Sequence, residues 1–160
     1  MLSKKVLLIA AVVLVALLLG YQYTVQQNLA GPIRLMPDDA AVVAQGQEVY
    51  VAECATCHGA QLQGQLNWQQ RLPNGRLPAP PHDETGHTWH HDDASLFNVT
   101  KYGPQFVAGP DYQSDMPAYE GKLTDAEIIA VLSYIKSEWP AEARATHDEI
   151  NRRAGPQEFL

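Results

Sequence analysis

The first apolar run of the chain, Val6–Tyr23, contains no charged side chain. Its eighteen residues would reach roughly 27 Å as a helix at about 1.5 Å per residue, just enough to cross the hydrocarbon core of a bilayer. Lys4 and Lys5 precede the run, and positive residues of this kind normally stay in the cytoplasm. The pattern therefore predicts a membrane anchor over residues 1–23, with residues 1–5 in the cytoplasm and the rest outside.

A cleaved signal peptide is the alternative explanation of this run, since its strictly aliphatic part, Val6–Leu19, is short. However, no A-x-A cleavage pattern follows it, and Tyr21 and Tyr23 suit the membrane interface. We therefore prefer an uncleaved anchor. Both alternatives place the remainder in an oxidising compartment outside the cytoplasm. Residues 24–37 are uncharged except for one arginine and contain Gly-Pro, which predicts an extended tether.

Helical spacing of apolar residues returns after the tether. It covers Ala40–Glu53, with Asp38 or Asp39 as the N-terminal cap. A second, shorter stretch is Ala94–Tyr102, which Gly103-Pro104 ends. Both segments are therefore predicted to be helices.

The strongest helical pattern follows Thr124, which forms a capping box with Glu127. It covers Asp125–Trp139 and ends at a proline that can open another helix. The segment that follows, Ala141–Arg153, is mostly charged, so we expect a polar helix or tail over 140–160 in which His147 is solvated.

Two stretches lack regular periodicity. Residues 60–92 contain four prolines and an Asn74-Gly75 pair that favours a turn, in the form of a small hairpin. A second irregular stretch extends to Gly121. Because no series of strands is visible, the sequence predicts an all-α domain over 38–139.

The net charge of the chain limits the classes of molecule that it is expected to bind. Eleven basic and eighteen acidic side chains give a net charge of −7. Since Lys4 and Lys5 belong to the anchor, the exported part carries nine basic against eighteen acidic side chains, a net charge of −9. Nucleic acid is excluded as a natural partner of such a surface, whereas a protein with a basic docking patch is compatible with it.

The only two cysteines, Cys54 and Cys57, lie two residues apart, and His58 follows directly. A disulfide between them would close too small a ring to stabilise the fold, and a thioredoxin-like pair requires a βαβ context that is missing here. The C-x-x-C-H pattern instead predicts one covalently bound haem c. The two thiols attach to its vinyl groups, and the imidazole of His58 binds its iron.

A second axial ligand is expected on the other face of the iron. Of the three methionines, Met1 is cytoplasmic and Met36 precedes the first helix, which leaves Met116. Pro117 restricts the backbone of Met116 to an extended conformation and so helps to fix its side chain. A lone methionine more often fills a gap in a core, but with a haem present we favour Met116 as ligand.

These features resemble the class I c-type cytochromes, which are monohaem electron carriers. The resemblance covers Ala40–Trp139 and is carried by Gly46, Tyr50, Cys54–His58, Met116–Tyr119 and Val131–Ile135. It implies an all-α cytochrome c fold around one haem. It also implies that Gly46 and Tyr50 pack against Val131 and Tyr134, and that a proline carbonyl, from Pro78, Pro80 or Pro81, orients His58. The stretch PPHDETGHTWHH is similar to one in membrane-anchored bacterial members, where we assign it no role.

Four histidines, His82, His87, His90 and His91, cluster in that stretch beside several carboxylates. They permit a second metal site for copper or zinc, or a spare ligand for bis-histidine haem coordination. Their spacing matches no metal motif, so we prefer a polar loop that contacts the haem propionates and keeps Trp89 packed.

The resemblance implies electron transfer rather than enzymatic catalysis, since Met116 would fill the position that a substrate or gas requires. We expect a carrier on the bacterial inner membrane, crossing it once, with the haem domain in the periplasm. It would exchange electrons with a membrane oxidase, reductase or dehydrogenase complex. The alternative is a haem subunit bound permanently within such a complex.

Overall fold

The computed structural model describes residues 11–20 and 32–159, and the chain divides into two units, Met1–Pro32 and Ile33–Leu160. In the first unit, residues 11–20 are helical (α1). The other residues of the predicted anchor, 1–10 and 21–23, lie outside the described part, as does most of the predicted tether. None of the helices among the described residues is sufficiently long and apolar to span a bilayer.

The second unit consists of helices and connecting loops. The helices are α2 (Ala40–Val49), α3 (Ala55–His58), α4 (Asp93–Tyr102), α5 (Pro104–Ala108), α6 (Asp125–Ser137) and α7 (Ala141–Ala154). A π-helical turn, Tyr50–Cys54, joins α2 to α3, and a 3-10 turn, Thr88–His90, precedes α4. Residues 11–20 and 32–159 contain no β-strand, which confirms the all-α prediction.

The predicted N-terminal caps of α2 and α6 are observed, and α4 has a similar cap. The side chain of Asp39 accepts hydrogen bonds from the backbone N–H groups at the start of α2, and Asp92 does the same for α4. Thr124 and Glu127 form the complete capping box that opens α6. These caps satisfy N–H groups that have no partner within the helix.

The contact between α2 and α6 forms the centre of the core. A Cβ atom at Gly46 would lie 1.9 Å from the carbonyl oxygen of Ala130 and 2.9 Å from the Cβ of Tyr134, so only glycine permits this approach. Tyr50 is fully buried, and its ring centroid lies 5.4 Å from that of Tyr134. The predicted packing of Gly46 and Tyr50 against α6 is thus observed at Tyr134, while Val131 is buried in the same core.

The two predicted irregular stretches have different outcomes. Residues 60–92 form no helix beyond the 3-10 turn, and the loop reverses where the N–H of Leu72 donates to the carbonyl of Arg76 at 2.8 Å. This turn is present without the strands of a hairpin. In contrast, the prediction of an irregular stretch after Gly103 was wrong for Pro104–Ala108, which is helix α5. Proline tolerates the first position of a helix because that N–H needs no partner.

The segment before α2 is extended, yet it is fastened to the folded domain. The N–H of Leu35 donates to the Asp93 carboxylate at 2.9 Å, and the N–H of Met36 donates to the Ser133 hydroxyl at 2.9 Å. Ile33 and Leu35 are buried. Residues 33–36 therefore belong to the core rather than to a free tether.

Helix α7 is packed against the domain, so the prediction that His147 is solvated was wrong. The His147 side chain is 0% exposed, and its ring centroid lies 5.0 Å from that of Trp139. Asn151 donates to Nδ1 of His147 at 3.1 Å, and Asn151 also binds the Asp93 carboxylate. The buried residues of α7 are Ala143 and His147, and the half-buried Asn151 adds hydrogen bonds, so polar contacts contribute to its packing beside apolar ones.

Candidate functional site

The predicted haem-attachment residues lie on one continuous helical segment. Cys54 ends the π-helical turn and is half-buried, Cys57 lies in α3 and is exposed, and both thiols are free. His58 ends α3 and is buried, and Gly59, with φ of 82°, turns the chain away directly after it. The helical turn therefore carries two thiols and an imidazole within five residues.

The orientation of His58 is fixed by one hydrogen bond. Its Nδ1 lies 2.9 Å from the carbonyl oxygen of Pro80, which can only accept, so Nδ1 carries the proton. The lone pair is then on Nε2, the nitrogen that is available to a metal. Burial lowers the pKa of His58 below its ordinary value, which keeps the ring neutral. Of the three prolines considered, the structure selects Pro80 as the orienting carbonyl.

The pKa of Cys54 helps to distinguish a haem-attachment cysteine from a cysteine of a disulfide oxidoreductase. Burial, followed by the nearby Glu53 and Cys57, raises the pKa of Cys54 to about 11. Reactive cysteines of disulfide oxidoreductases have pKa values that are lowered instead. Cys54 therefore lacks the thiolate character of a thioredoxin-like pair, and the donor set of two thiols and one imidazole fits covalent haem attachment.

The loop that carries Met116 is fastened on both sides of that residue. On the N-terminal side, Asp115 forms an ion pair with Arg76 of the 60–92 loop. On the C-terminal side, the hydroxyl of Tyr119 donates to the carbonyl of Glu53 at 2.9 Å. Lys122 also forms an ion pair with the Glu53 carboxylate. Since Glu53 directly precedes Cys54, these contacts hold the Met116 loop beside the attachment turn.

Tyr119 gives a second indication of this proximity. Burial, followed by the charges of Cys54, Glu53 and Cys57, raises the pKa of Tyr119 to about 12. Its backbone N–H donates to the carbonyls of Thr100 and Lys101, which ties the same loop to the end of α4. The half-buried Met116 lies three residues before this anchored tyrosine.

Large apolar side chains remain exposed near these residues. Val51 lies one turn before Cys54, and Phe106 and Val107 lie in α5. The end of α4 adjoins the Met116 loop, because a Cβ atom at Gly103 would contact Ala118 at 3.5 Å. Exposed apolar side chains of this kind are common at binding surfaces.

The four clustered histidines have different surroundings. The ring of His82 stacks on that of His58 with a centroid distance of 4.0 Å, and its Nδ1 lies 2.8 Å from the Thr88 hydroxyl. His87 stacks on Trp68 at 5.3 Å and lies edge-on to His91 at 5.4 Å. His90 contacts Trp89 edge-on at 3.8 Å, and Trp89 packs half-buried against the core.

A second metal site in this cluster is not supported. Across residues 11–20 and 32–159, no three histidine, cysteine, aspartate or glutamate side chains converge in a way that could hold a metal ion. His82 stacks on His58, His90 contacts Trp89, and only His87 and His91 contact each other, so the described contacts bring no third ligand to that pair. The contact of these histidines with haem propionates stays a prediction.

The sequence did not reveal the residues that support the site from outside the motif. These residues make contacts between segments that are far apart in the chain, so no local sequence pattern predicts them. They are Arg76, Asp115 and Tyr119. The stacking of His82 on His58 was also missed. Its only sequence signal was the position of His82 directly after Pro81, the last of the prolines considered for His58.

Comparisons with known proteins agree with this geometry. A protein-family model described as Cytochrome c matches residues 43–139, which is more than half of the chain. Over 97 residues the chain is 32% identical to the Cbb3-type cytochrome c oxidase subunit CcoP of Azospirillum sp. (strain B510), a match that covers 61% of this chain and 29% of that protein. The chain thus spans less than a third of the length of this curated relative.

Among solved structures, the chain is similar to cytochrome cL from the marine methylotrophic bacterium Methylophaga aminisulfidivorans MPT. The two are 21% identical with a TM-score of 0.48, and the match covers 78% of this chain and 73% of that one.

Proposed function

The chain belongs to the cytochrome c family, and on this premise we propose that His58 and Met116 are the two axial ligands of its covalently bound haem c. Cytochrome c domains serve haem-based electron transfer, as carriers or as subunits of redox complexes, and are not enzymes themselves. Cys54 and Cys57 fit the attachment of the haem. When bound, haem c supplies a one-electron couple at its iron.

The side chains of this site have distinct tasks. His58, held by the Pro80 carbonyl, would supply Nε2 as one ligand of the iron. Met116 would supply its thioether sulfur as the other ligand, and a thioether favours the reduced iron more than a second imidazole does. With both side chains bound, an added ligand would find no free position.

One observation carries this proposal. The hydrogen bond from Nδ1 of His58 to Pro80 leaves Nε2 as the lone-pair nitrogen, on the same helical segment as two free thiols. A hydrogen bond from a ligating imidazole to a backbone carbonyl is the arrangement that orients metal-bound histidines in general. Support for Met116 is less direct and comes from the contacts of Asp115 and Tyr119 on either side of it.

Absorbance spectra of the purified protein test the ligands. We expect Met116→Ala to retain the covalent haem but to lose the weak far-red band of sulfur-to-iron coordination, with a lower reduction potential. The matched control is Met36→Ala, because Met36 packs half-buried against the core and should leave the band unchanged. Retention of the band in Met116→Ala would exclude this residue as a ligand.

Denaturation tests the attachment itself. Two thioether bonds should keep the haem colour with the polypeptide after unfolding and leave no free thiol to alkylate. We expect Cys54→Ser with Cys57→Ser to abolish the retained colour. If the denatured wild-type protein is colourless and has two reactive thiols, the proposal of a covalently bound haem is wrong.

The similarity to CcoP supports a second candidate for the cellular role. As a carrier, the protein would be anchored to the bacterial inner membrane by residues 1–23 and would shuttle electrons between membrane-associated complexes in the periplasm. As a subunit, it would stay within a respiratory oxidase, the class of complex to which CcoP belongs by name. Purification in mild detergent separates the two, because only a subunit would elute with other chains in fixed proportion.

The acidic character of the chain bears on either role. The residues after Lys5 carry nine basic and eighteen acidic side chains. We therefore expect association with a redox partner that offers a basic patch, and an association rate that falls as salt is added. A rate independent of ionic strength would argue against electrostatic attraction of this kind.

A further inference from the structure

The PPHDETGHTWHH stretch, residues 80–91, contacts His58 at two places. The Pro80 carbonyl accepts the hydrogen bond from Nδ1, and the ring of His82 stacks on the His58 ring at a centroid distance of 4.0 Å and an interplanar angle of 20°. We propose that His82 is a positioning residue, which fixes the plane of the His58 imidazole on the iron. This inference rests on the proposed ligation by His58.

His82 is itself held at three points. Its backbone N–H donates to the Leu62 carbonyl at 2.7 Å, and its carbonyl accepts from the indole N–H of Trp139 at 2.7 Å. Its ring is oriented by Thr88, whose buried hydroxyl lies 2.8 Å from Nδ1. Both the backbone and the ring of His82 are therefore fixed before the stacking contact with His58 is considered.

Two glycines allow the segment to lie where it does. A Cβ atom at Gly64 would lie 2.4 Å from the nitrogen of Pro81, and one at Gly86 would lie 2.0 Å from the carbonyl oxygen of Pro81. The Pro80–His82 backbone thus passes between two glycine backbones, and neither position has room for a side chain. The N–H of Gly64 also donates to the His58 carbonyl at 2.7 Å, which joins this packing directly to α3.

The two contacts restrain different motions of His58. The hydrogen bond to Pro80 fixes the edge of the ring but permits some rotation about the Nδ1–Nε2 direction. A second ring lying nearly parallel against its face opposes that rotation, because tilting one ring brings its atoms into the other. The same ring keeps water off the imidazole. Since water stabilises the extra positive charge of the ferric state, its exclusion favours the reduced state.

The test compares His82→Ala with His82→Phe in the haem-loaded protein. The spread of the haem-methyl proton resonances of the ferric protein reports the plane of the axial imidazole. We expect His82→Ala to change this spread and to lower the reduction potential, since the ring becomes free to turn and accessible to water. His82→Phe retains an aromatic face but loses the Nδ1 contact with Thr88, so its spread should lie between those of His82→Ala and the wild type.

Two further variants keep the test decisive if His82→Ala fails to fold. Thr88→Val removes the partner of the His82 Nδ1 with little change of volume and should alter the spread in the same direction as His82→Ala, but less. His90→Ala, in the same stretch but packed on Trp89, should leave the spread and the potential unchanged.

The inference is overturned if His82→Ala has the wild-type resonance spread, or if His90→Ala changes the spread as much as His82→Ala does. If His82→Ala does not fold, a wild-type spread in Thr88→Val overturns it. If the wild type lacks the far-red band, the proposal that Met116 is a ligand is contradicted. The inference on His82 is still testable, because the haem-methyl resonances report the plane of the His58 ring. The two proposals can therefore fail separately.

Discussion

The segments that carry His58 and Met116 are held in place by different kinds of contact. The His58 side is fixed by backbone hydrogen bonds and by close backbone packing at Gly64 and Gly86. The Met116 side has backbone hydrogen bonds to α4 at Tyr119, but its contacts with the attachment turn and the 60–92 loop are the Tyr119 hydroxyl bond and surface ion pairs, such as the pair between Arg76 and Asp115. The comparison indicates that the His58 segment is held more rigidly than the Met116 segment.

The expected energies follow from this difference. Backbone packing without voids resists a change of even one methyl group, whereas exposed ion pairs contribute little and are screened by salt. Arg76 and Asp115 retain 39% and 57% exposure of their side chains, so their pair belongs to the second kind. We therefore expect substitutions on the His58 side to cost more than substitutions on the Met116 side.

The largest effect is expected for Gly86→Ala. The added methyl group would lie 2.0 Å from a backbone oxygen that cannot rotate away, so we expect a loss of about 1–3 kcal/mol in the free energy of unfolding. Denaturant titration measures this loss, and the haem-methyl spread should change with it. Gly75→Ala is the control in the same loop: its φ of 83° makes alanine strained, but no atom lies within 4 Å. If Gly75→Ala altered the spread as much, the packing at Gly86 would not be its cause.

An effect of intermediate size is expected when the pH falls. Burial, followed by the charge of Lys136, lowers the pKa of His147, although Asp93 and Asp148 act in the opposite direction. The unfolded chain then binds more protons than the folded one near the ordinary pKa of histidine, about 6.5, so stability falls as the pH drops through that region. One such group changes the stability by at most about 1.4 kcal/mol per pH unit.

His147→Gln tests this pH dependence, because glutamine can accept the hydrogen bond from Asn151 but cannot take up a proton. We expect a shallower loss of stability between about pH 7 and 5.5 than in the wild type, measured by denaturant titration. At about pH 8 the residue is uncharged in both proteins, so the difference there reports packing alone. Parallel curves for the two proteins would show that His147 does not contribute.

A smaller effect is expected for Tyr119→Phe. This variant removes the hydrogen bond to the Glu53 carbonyl and keeps the buried ring, so it should cost about 1 kcal/mol. Because Met116 lies three residues earlier, its far-red band should be lost at a lower temperature than in the wild type. Tyr112→Phe, in the same loop before Met116, is the control. Equal behaviour of both variants would remove Tyr119 from the support of Met116.

The smallest effect is expected for Arg76→Ala. Loss of an exposed ion pair should cost no more than about 0.5–1 kcal/mol, and added salt should reduce the difference from the wild type. Arg71→Ala is the matched control in the same loop, since the Arg71 guanidinium binds a backbone carbonyl rather than a carboxylate. A loss that persists at high salt would mean that Arg76 acts by packing instead.

The helices and the attachment motif could be predicted from the sequence because their signals are local. The capping box at Thr124 and the Cys54–His58 spacing each specify their structure within a few residues, whereas the packing of Gly46 against α6 was expected from the family resemblance. The identity of Pro80 as the partner of His58 was beyond such reasoning. Three prolines lie within four residues, and only the path of the loop decides which carbonyl faces the ring.

The burial of α7 was mispredicted for a different reason. Hydrophobic patterning recognises a buried face by its apolar side chains, whereas α7 buries Ala143 and His147 and hydrogen-bonds Asn151 to Asp93. In a pattern of apolar and polar residues, a histidine that is buried through polar contacts cannot be distinguished from a solvent-exposed histidine. Helix α5 was missed similarly, since Gly103-Pro104 signals both the end of one helix and the start of another.

The hydrogen bond from the N–H of Ile33 to the carbonyl of Gln157, at 2.8 Å, has a consequence for engineering. It places the beginning and the end of the helical domain side by side, far apart in sequence but adjacent in space. Domains with neighbouring termini tolerate circular permutation and insertion into other proteins. A short linker between these two positions, with new ends opened between the half-buried Gly109 and the exposed Pro110, should give a permuted domain with the haem-attachment segment unbroken.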